Sequence, residues 1–180
     1  MSAETVVAIK RSFVSLLEER ALKSITVRDI VEGCGLNRNT FYYHFKDIPS
    51  MIEEIIEETA AGIISEHNAL SSLEDCLKVA VQFAVKNKKA ILNLHRSSNR
   101  EVYEGYVMRI SEHLVKQYIC STNASELLDE DEKRLVVIAY KCVLFGFIID
   151  WLDGGMKRDV LSEFSSYIKL RHRLYGTMMM

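Results

Sequence analysis

Apolar residues return at three- and four-residue steps along most of the chain. Val6, Ile9, Phe13, Leu16 and Leu17 predict an amphipathic helix over about 3–22. A second helix is predicted from Thr26, where Thr26 and Asp29 have the spacing of a capping box and Ile25 with Ile30 that of a hydrophobic staple. It stops at Gly33-Cys34-Gly35. A third starts behind Asn37, a residue type that caps helices, and Leu36 with Phe41 repeats the staple spacing. Asp47 and Pro49 open a fourth, running to about His67. Further helical stretches fall at about 73–94, 100–120, 130–152 and 159–175. No stretch alternates as a strand would, and there is no internal repeat. The pattern predicts an all-α protein of about nine helices.

Composition changes this picture little. One proline and eight glycines leave long helices unbroken. The net charge of −2 points to no polyanion by itself, but the charges are unevenly placed. Residues 1–50 hold seven Lys/Arg against six acids, whereas residues 51–180 hold sixteen against nineteen. Between 34 and 46 stand Arg38 and Lys46 with no acid. A local basic strip on a mildly acidic body suits a protein that touches a polyanion through one small surface. Four scattered cysteines, no CxxC pair and no secretory signal place the chain in a reduced, cytoplasmic compartment. The longest apolar run, 142–149, falls well short of the ~20 residues that span a bilayer, so no membrane is expected.

The basic strip belongs to the stretch NRNTFYYHFK, residues 37–46. Two short helices joined by a tight glycine-containing turn make a helix-turn-helix. On the second, Leu36, Phe41 and Phe45 are expected to face inward, while Arg38 with Tyr42, and Asn39 with Tyr43, share outward faces. Such a helix is ~12 Å long, which suits a major groove ~12 Å wide. Arg38 can fork onto guanine, Asn39 can pair with adenine, and the Thr26 hydroxyl, Tyr43, His44 and Lys46 are expected beside phosphates. A purely structural aromatic helix is the weaker reading, because a two-turn helix cannot bury every side.

The run ITVRDIVEGCGLNRNTFYYHFKDIPSMIEEII, residues 25–56, resembles the DNA-binding segment of the TetR family of bacterial transcriptional regulators. The resemblance implies an all-helical homodimer with an N-terminal three-helix DNA-binding domain (1–47) and a C-terminal helical dimerisation and effector domain (48–180). The matching positions imply DNA contacts at Thr26, Arg28, Asn37, Arg38, Asn39, Thr40, Tyr42, Tyr43, His44 and Lys46. Family members often carry a lysine at the start of the fourth helix, where this chain has Ile48 and Pro49. FYYHFKDIPSMIEEI and the later GFIIDWLDGG look most like a Firmicutes-type branch that includes regulators of dihydroxyacetone-kinase operons. Some of those activate, and some work with a protein partner.

Two more sets of residues are candidates. Residues 135–152 are apolar nearly all round, and the following stretch carries an apolar stripe. Leu144, Gly146, Phe147, Trp151, Leu161, Phe164 and Ile168 are expected at a homodimer seam, favoured over a purely internal core because paired half-sites need two-fold symmetry. His95, Tyr103, Tyr106, His113 and Trp151 are the candidates for contacting a small-molecule effector, although each taken singly is the more ordinary core residue. The acidic run 129–132 reads as a helix start favoured by the helix dipole, and no metal is expected. GxSxG, GxGxxG, P-loop and HExxH patterns are absent, so neither catalytic residues nor a cofactor are expected. The expected partners are double-stranded operator DNA, a second copy of the chain, and a small molecule or a protein co-regulator.

Overall fold

The computed structural model describes residues 3–66, 72–97, 100–121 and 124–178. His67, where the fourth helix was expected to end, and the side chain of Tyr175 lie outside that description. Among the described residues the structure is helical with no strand: α1 (Ala3–Glu19), α2 (Val27–Glu32), α3 (Arg38–His44), α4 (Ile48–Glu66), α5 (Leu73–Lys86), α6 (Lys88–His95), α7 (Arg100–Cys120), α8 (Ala124–Leu127), α9 (Glu130–Asp153) and α10 (Val160–Met178). The chain forms two compact units, Met1–Gly62 with Asn87–Tyr106, and Ile63–Lys86 with Val107–Met180.

In the first unit, α1 buries Ile9, Phe13 and Leu17 on the stripe its periodicity predicts. Each such side chain contributes roughly 1.5–3 kcal/mol on leaving water. Ile30, Val31, Phe41, Phe45, Met51 and Ile52 complete this core. α1 packs on α2 and α6, and α2 on α3. Two polar devices fix the arrangement. Lys10 is buried on the apolar side of α1, its Nζ 3.1 Å from Glu54 and 2.8 Å from Glu58 on α4, and 5.7 Å from the centre of the Phe45 ring. Burial opposes its charge, yet the two carboxylates win and raise its pKa. Asn93 on α6 donates from Nδ2 to the Leu17 carbonyl at 2.7 Å, satisfying a carbonyl that the end of α1 leaves open. These contacts are why the unit runs past residue 47.

The second unit packs α5, α9 and α10 together. Phe147, Phe164 and Tyr167 form a cluster with ring centres 5.0–6.0 Å apart. Lys141 on α9 reaches Glu112 on α7 at 2.5 Å. Lys116 and Lys141 together hold the Glu112 carboxyl at about 2. The acidic run at 129–132 is accounted for by capping: Asp129 accepts from the Glu132 N–H at 2.8 Å and Glu132 from the Asp129 N–H at 3.0 Å.

Two local differences from the periodic pattern stand out. The stretch expected as one helix over 73–94 breaks at Asn87, whose φ of −113° and ψ of 30° leave the helical region. Asn87 sits in a polar run of Lys86, Asn87, Lys88 and Lys89, which offers no apolar side chain to carry a helix through. By length and composition α9 is also apolar enough to cross a membrane, because a window can tolerate the Lys141 and Asp150 that interrupt the shorter run. Only 28% of its most apolar window is buried.

Candidate nucleic-acid interface

The surface around α3 is assembled by backbone accounting. At the start of α2, the Thr26 hydroxyl accepts from the Asp29 N–H at 3.3 Å, and the Thr26 N–H donates to Asp29 Oδ2 at 2.8 Å. This is the capping box that the spacing predicts. The same hydroxyl donates to Asp29 Oδ2 at 2.7 Å, and Arg20 Nη2 lies 3.1 Å from that oxygen. These bonds hold the Asp29 carboxyl at about 2, the Thr26 contacts contributing most and Arg20 less. At the start of α3, Asn37 Oδ1 accepts from the Thr40 N–H at 3.0 Å and from the Thr40 hydroxyl at 3.2 Å.

The turn between α2 and α3 closes on glycine for a stated reason. Gly35 has φ of +67°, and the Leu36 N–H reaches the Val31 carbonyl at 2.8 Å while the Gly35 N–H reaches Glu32 at 3.3 Å. That is a Schellman arrangement, and its left-handed residue favours glycine. Gly33 is held for space: a Cβ there would meet Ser12 Oγ at 2.4 Å, and that hydroxyl donates to the Ile30 carbonyl at 2.7 Å.

α3 is thereby presented with two unlike sides. Phe41 and Phe45 are buried, with rings 5.5 Å apart. Arg38, Asn39 and Lys46 are exposed, and Tyr42 and Tyr43 are 58% and 69% exposed. Among the described residues no hydrogen bond or ion pair holds the Arg38, Asn39 or Lys46 side chains. The expected contact residues therefore fall into two groups. Arg38, Asn39, Tyr42, Tyr43 and Lys46 offer groups to solvent, whereas Thr26 and Thr40 spend their hydroxyl protons on helix caps and Asn37 commits only its Oδ1 there, keeping an exposed amide nitrogen to donate. Thr26 has one hydroxyl proton, and here it is on Asp29. Arg28 is exposed with Nε 2.6 Å from Glu32, leaving four of its five N–H donors. His44 is half-buried, its Nε2 enclosed without a partner among the described residues, so that nitrogen is not presented to a phosphate.

The expected effector residues do not fall in one unit. His95, Tyr103 and Tyr106 belong to the first, His113 and Trp151 to the second. His95 and Tyr103 are buried with ring centres 6.1 Å apart, and burial pushes the Tyr103 phenol upward. His113 is half-buried, its pKa lowered by burial and by Lys116. Trp151 is buried and its Nε1 donates to the Arg158 carbonyl at 3.0 Å, so its polar tip is already satisfied.

The proposed seam residues also divide. Leu144, Trp151 and Phe164 lie in the core of their own unit, while Gly146 is exposed and Phe147, Leu161 and Ile168 are half-buried. Large apolar side chains left in solvent there are Leu135, Ile138, Leu170 and Leu174. An open groove of about 320 Å³ between α9 and α10 is lined by Cys142, Val143, Gly146, Phe147, Asp150 and Tyr167.

A family model described as bacterial regulatory proteins, tetR family, matches residues 14–55, and one described as transcriptional regulator C-terminal region matches residues 71–168, over half the chain. The chain belongs to the TetR family. Both descriptions are of transcriptional regulators, and the N-terminal match takes in the whole helix-turn-helix of α2 and α3. Among curated relatives, the HTH-type transcriptional repressor KstR2 of Mycolicibacterium smegmatis is 25% identical over 99 residues, covering 54% of this chain and 47% of that protein. The uncharacterized HTH-type transcriptional regulator YxbF of Bacillus subtilis is 31% identical over 55 residues, covering 31% of this chain and 14% of that one. The matches thus span half or less of those relatives. Of solved structures, the dihydroxyacetone kinase operon activator DhaS superposes with a TM-score of 0.73 at 17% identity, covering 94% of each chain. FadR of Bacillus halodurans, a fatty acid degradation regulator, gives 0.60 at 16% identity over 90% of this chain and 91% of that one. Both likenesses are of fold.

Within this TetR-family fold, Lys10, Arg20, Asn93 and Glu32 take parts that no local pattern announces. A lysine on the apolar stripe between Val6 and Phe13 was the available signal for Lys10. Its partners on α4 lie too far along the chain for any local spacing to reveal.

Proposed function

We propose that the chain represses transcription by binding a pseudo-palindromic operator as a homodimer, with α3 in the major groove of each half-site. The observation that carries this reading is the two-sided α3. Arg38, Asn39, Tyr42 and Tyr43 stand in solvent on a helix whose other side, Phe41 and Phe45, is locked into the core. A rigid helix with exposed base-reading and phosphate-binding groups fits a groove, and two-fold pairing supplies the second half-site. The exposed apolar side chains of α9 and α10 supply the seam: Leu135, Ile138, Leu170 and Leu174, with Gly146 permitting close approach. The word repressor rests on the name of the sequence relative KstR2. The opposite sign in the name of DhaS comes from a likeness of fold alone.

A small, partly apolar effector that alters DNA affinity is part of the proposal and rests on what the family resemblance implies, since His95 and Tyr103 are packed against each other as buried rings. Control by a protein co-regulator is the competing reading. Selection of duplexes from a randomised pool by the full-length chain tests the core of the proposal. An inverted repeat with half-sites ~10 base pairs apart or a multiple of that is expected. Recovery of unrelated sequences with no two-fold symmetry would overturn it.

A further inference from the structure

Of the two acids between residues 26 and 46, Asp29 is built into the α2 cap, while Glu32 pairs with Arg28 in the open. Arg28 Nε lies 2.6 Å from Glu32 Oε1, with side chains 68% and 59% exposed. Helix stability does not account for this pair. Arg28 stands in the first turn of α2 and Glu32 at its end, so each charge opposes the helix dipole. Arginine before glutamate is also the less favourable order for a pair one turn apart. An exposed pair of this kind contributes little to stability in any case. What the pair does achieve is to keep an acid on a cation that stands among the expected DNA contacts.

We propose that Glu32 is a specificity-determining residue, an intramolecular competitor that weakens the hold of Arg28 on phosphates in loose, out-of-register encounters and yields it fully only when α3 is seated. This rests on the DNA-binding reading above. A carboxylate there takes the place of a phosphate oxygen for the guanidinium and repels the strand that would replace it. In register, the summed contacts of α3 draw the strand close enough for Arg28 to change partner. Out of register they do not.

The test compares the full-length chain with Glu32→Gln, Arg28→Ala and the double variant. Each is titrated against a random-sequence duplex and against the duplex that the wild-type chain selects from a randomised pool. Glu32→Gln is expected to raise affinity for random DNA about threefold, the scale of an exposed pair plus the lost repulsion. Its log–log salt slope should steepen by about 0.9, for one more neutralised phosphate. Affinity for the selected duplex should rise less, so discrimination falls. In the Arg28→Ala background the substitution should change neither slope nor discrimination. Equal gains on both duplexes, or a loss of discrimination that survives Arg28→Ala, overturn the competitor role. If Arg28→Ala leaves DNA binding unchanged, the assignment of Arg28 to the backbone fails instead.

Discussion

Among the described residues, two of the surfaces that keep large side chains in water differ in chemistry. On α3 the exposed groups are Tyr42 and Tyr43, rings with a hydroxyl at the tip, set among Arg38, Asn39 and Lys46. On α9 and α10 they are Leu135, Ile138, Leu170 and Leu174, with no polar tip at all. A tyrosine hydroxyl can remain hydrated until it meets a phosphate, so the first surface is stable alone and open to a wet, charged partner. Exposed leucines gain only by leaving water, so the second surface asks for an apolar partner of matching shape. The two surfaces also stand on differently built supports. α3 has one side fully committed to its core. α9 has apolar residues on every side and buries only part of them.

The largest expected effect comes from breaking the second surface. Gly146→Glu together with Leu170→Glu puts two charges where the seam is proposed and leaves the Leu144 and Phe164 core untouched. Phe164→Glu would be a poor choice, since Phe164 is 1% exposed and the charge would land inside the unit. The double variant should sediment as a monomer at micromolar concentration. Its operator affinity should fall by about a hundredfold or more, because the second half-site is no longer held at high effective concentration. A wild-type chain that is itself monomeric would remove the seam from the proposal.

Breaking the first surface should have a narrower consequence. Arg38→Ala should cost ~1–3 kcal/mol in operator binding and relax preference at one base pair per half-site. Competition among single-base operator variants measures this. A uniform loss with unchanged preference would move Arg38 from base reading to backbone contact.

What was legible in the sequence was whatever depends on neighbours within a turn or two. The Thr26–Asp29 box, the Asn37 cap and the glycine turn are such features, because a cap is satisfied three residues away and a left-handed turn favours glycine. The inward Phe41 and Phe45 follow from helical spacing alone. Less visible was anything decided by distant packing. Nothing within a turn or two of Lys10 marks Glu54 and Glu58, which are brought to it from α4. His44 was read as a phosphate contact from its place among exposed tyrosines, yet its Nε2 is enclosed. α9 shows the limit most clearly: a helix apolar all round carries no periodic signal of which side faces its own core. Leu144 and Gly146, two residues apart, therefore looked equivalent and are not.

Acid should sharpen the comparison between the two compact units. Asp29 in the first and Glu112 in the second are both held at about 2, below the 3.8 and 4.5 of free carboxyls. Because the folded values are depressed, the unfolded chain binds more protons as pH falls. The stabilisation is complete above about pH 5 and is lost as pH drops through 4 towards 2. Asp29→Asn should flatten the acid sensitivity of amide exchange in residues 3–62 and leave residues 107–121 unchanged. Glu112→Gln should do the reverse. A single substitution that flattens both regions would show that the units open together.

The smallest expected effect separates the two kinds of phosphate contact on the α3 surface. Tyr43→Phe removes one hydroxyl and keeps the ring, which packs edge to face on His44 with centres 5.0 Å apart. The helix should therefore be undisturbed, and far-UV spectra and melting should match the parent. A neutral hydroxyl bonding a phosphate contributes about 0.5–1.5 kcal/mol, so affinity should fall by the same modest factor on every duplex. No cation is lost, so no counterion release is lost, and the salt slope should stay where it was. Lys46→Ala is the contrast, since it should flatten the slope by about 0.9 while also weakening all sequences alike. If Tyr43→Phe instead changes sequence preference, the ring and hydroxyl are reading a base edge. Tyr43 then belongs with Arg38 and Asn39 rather than with Lys46.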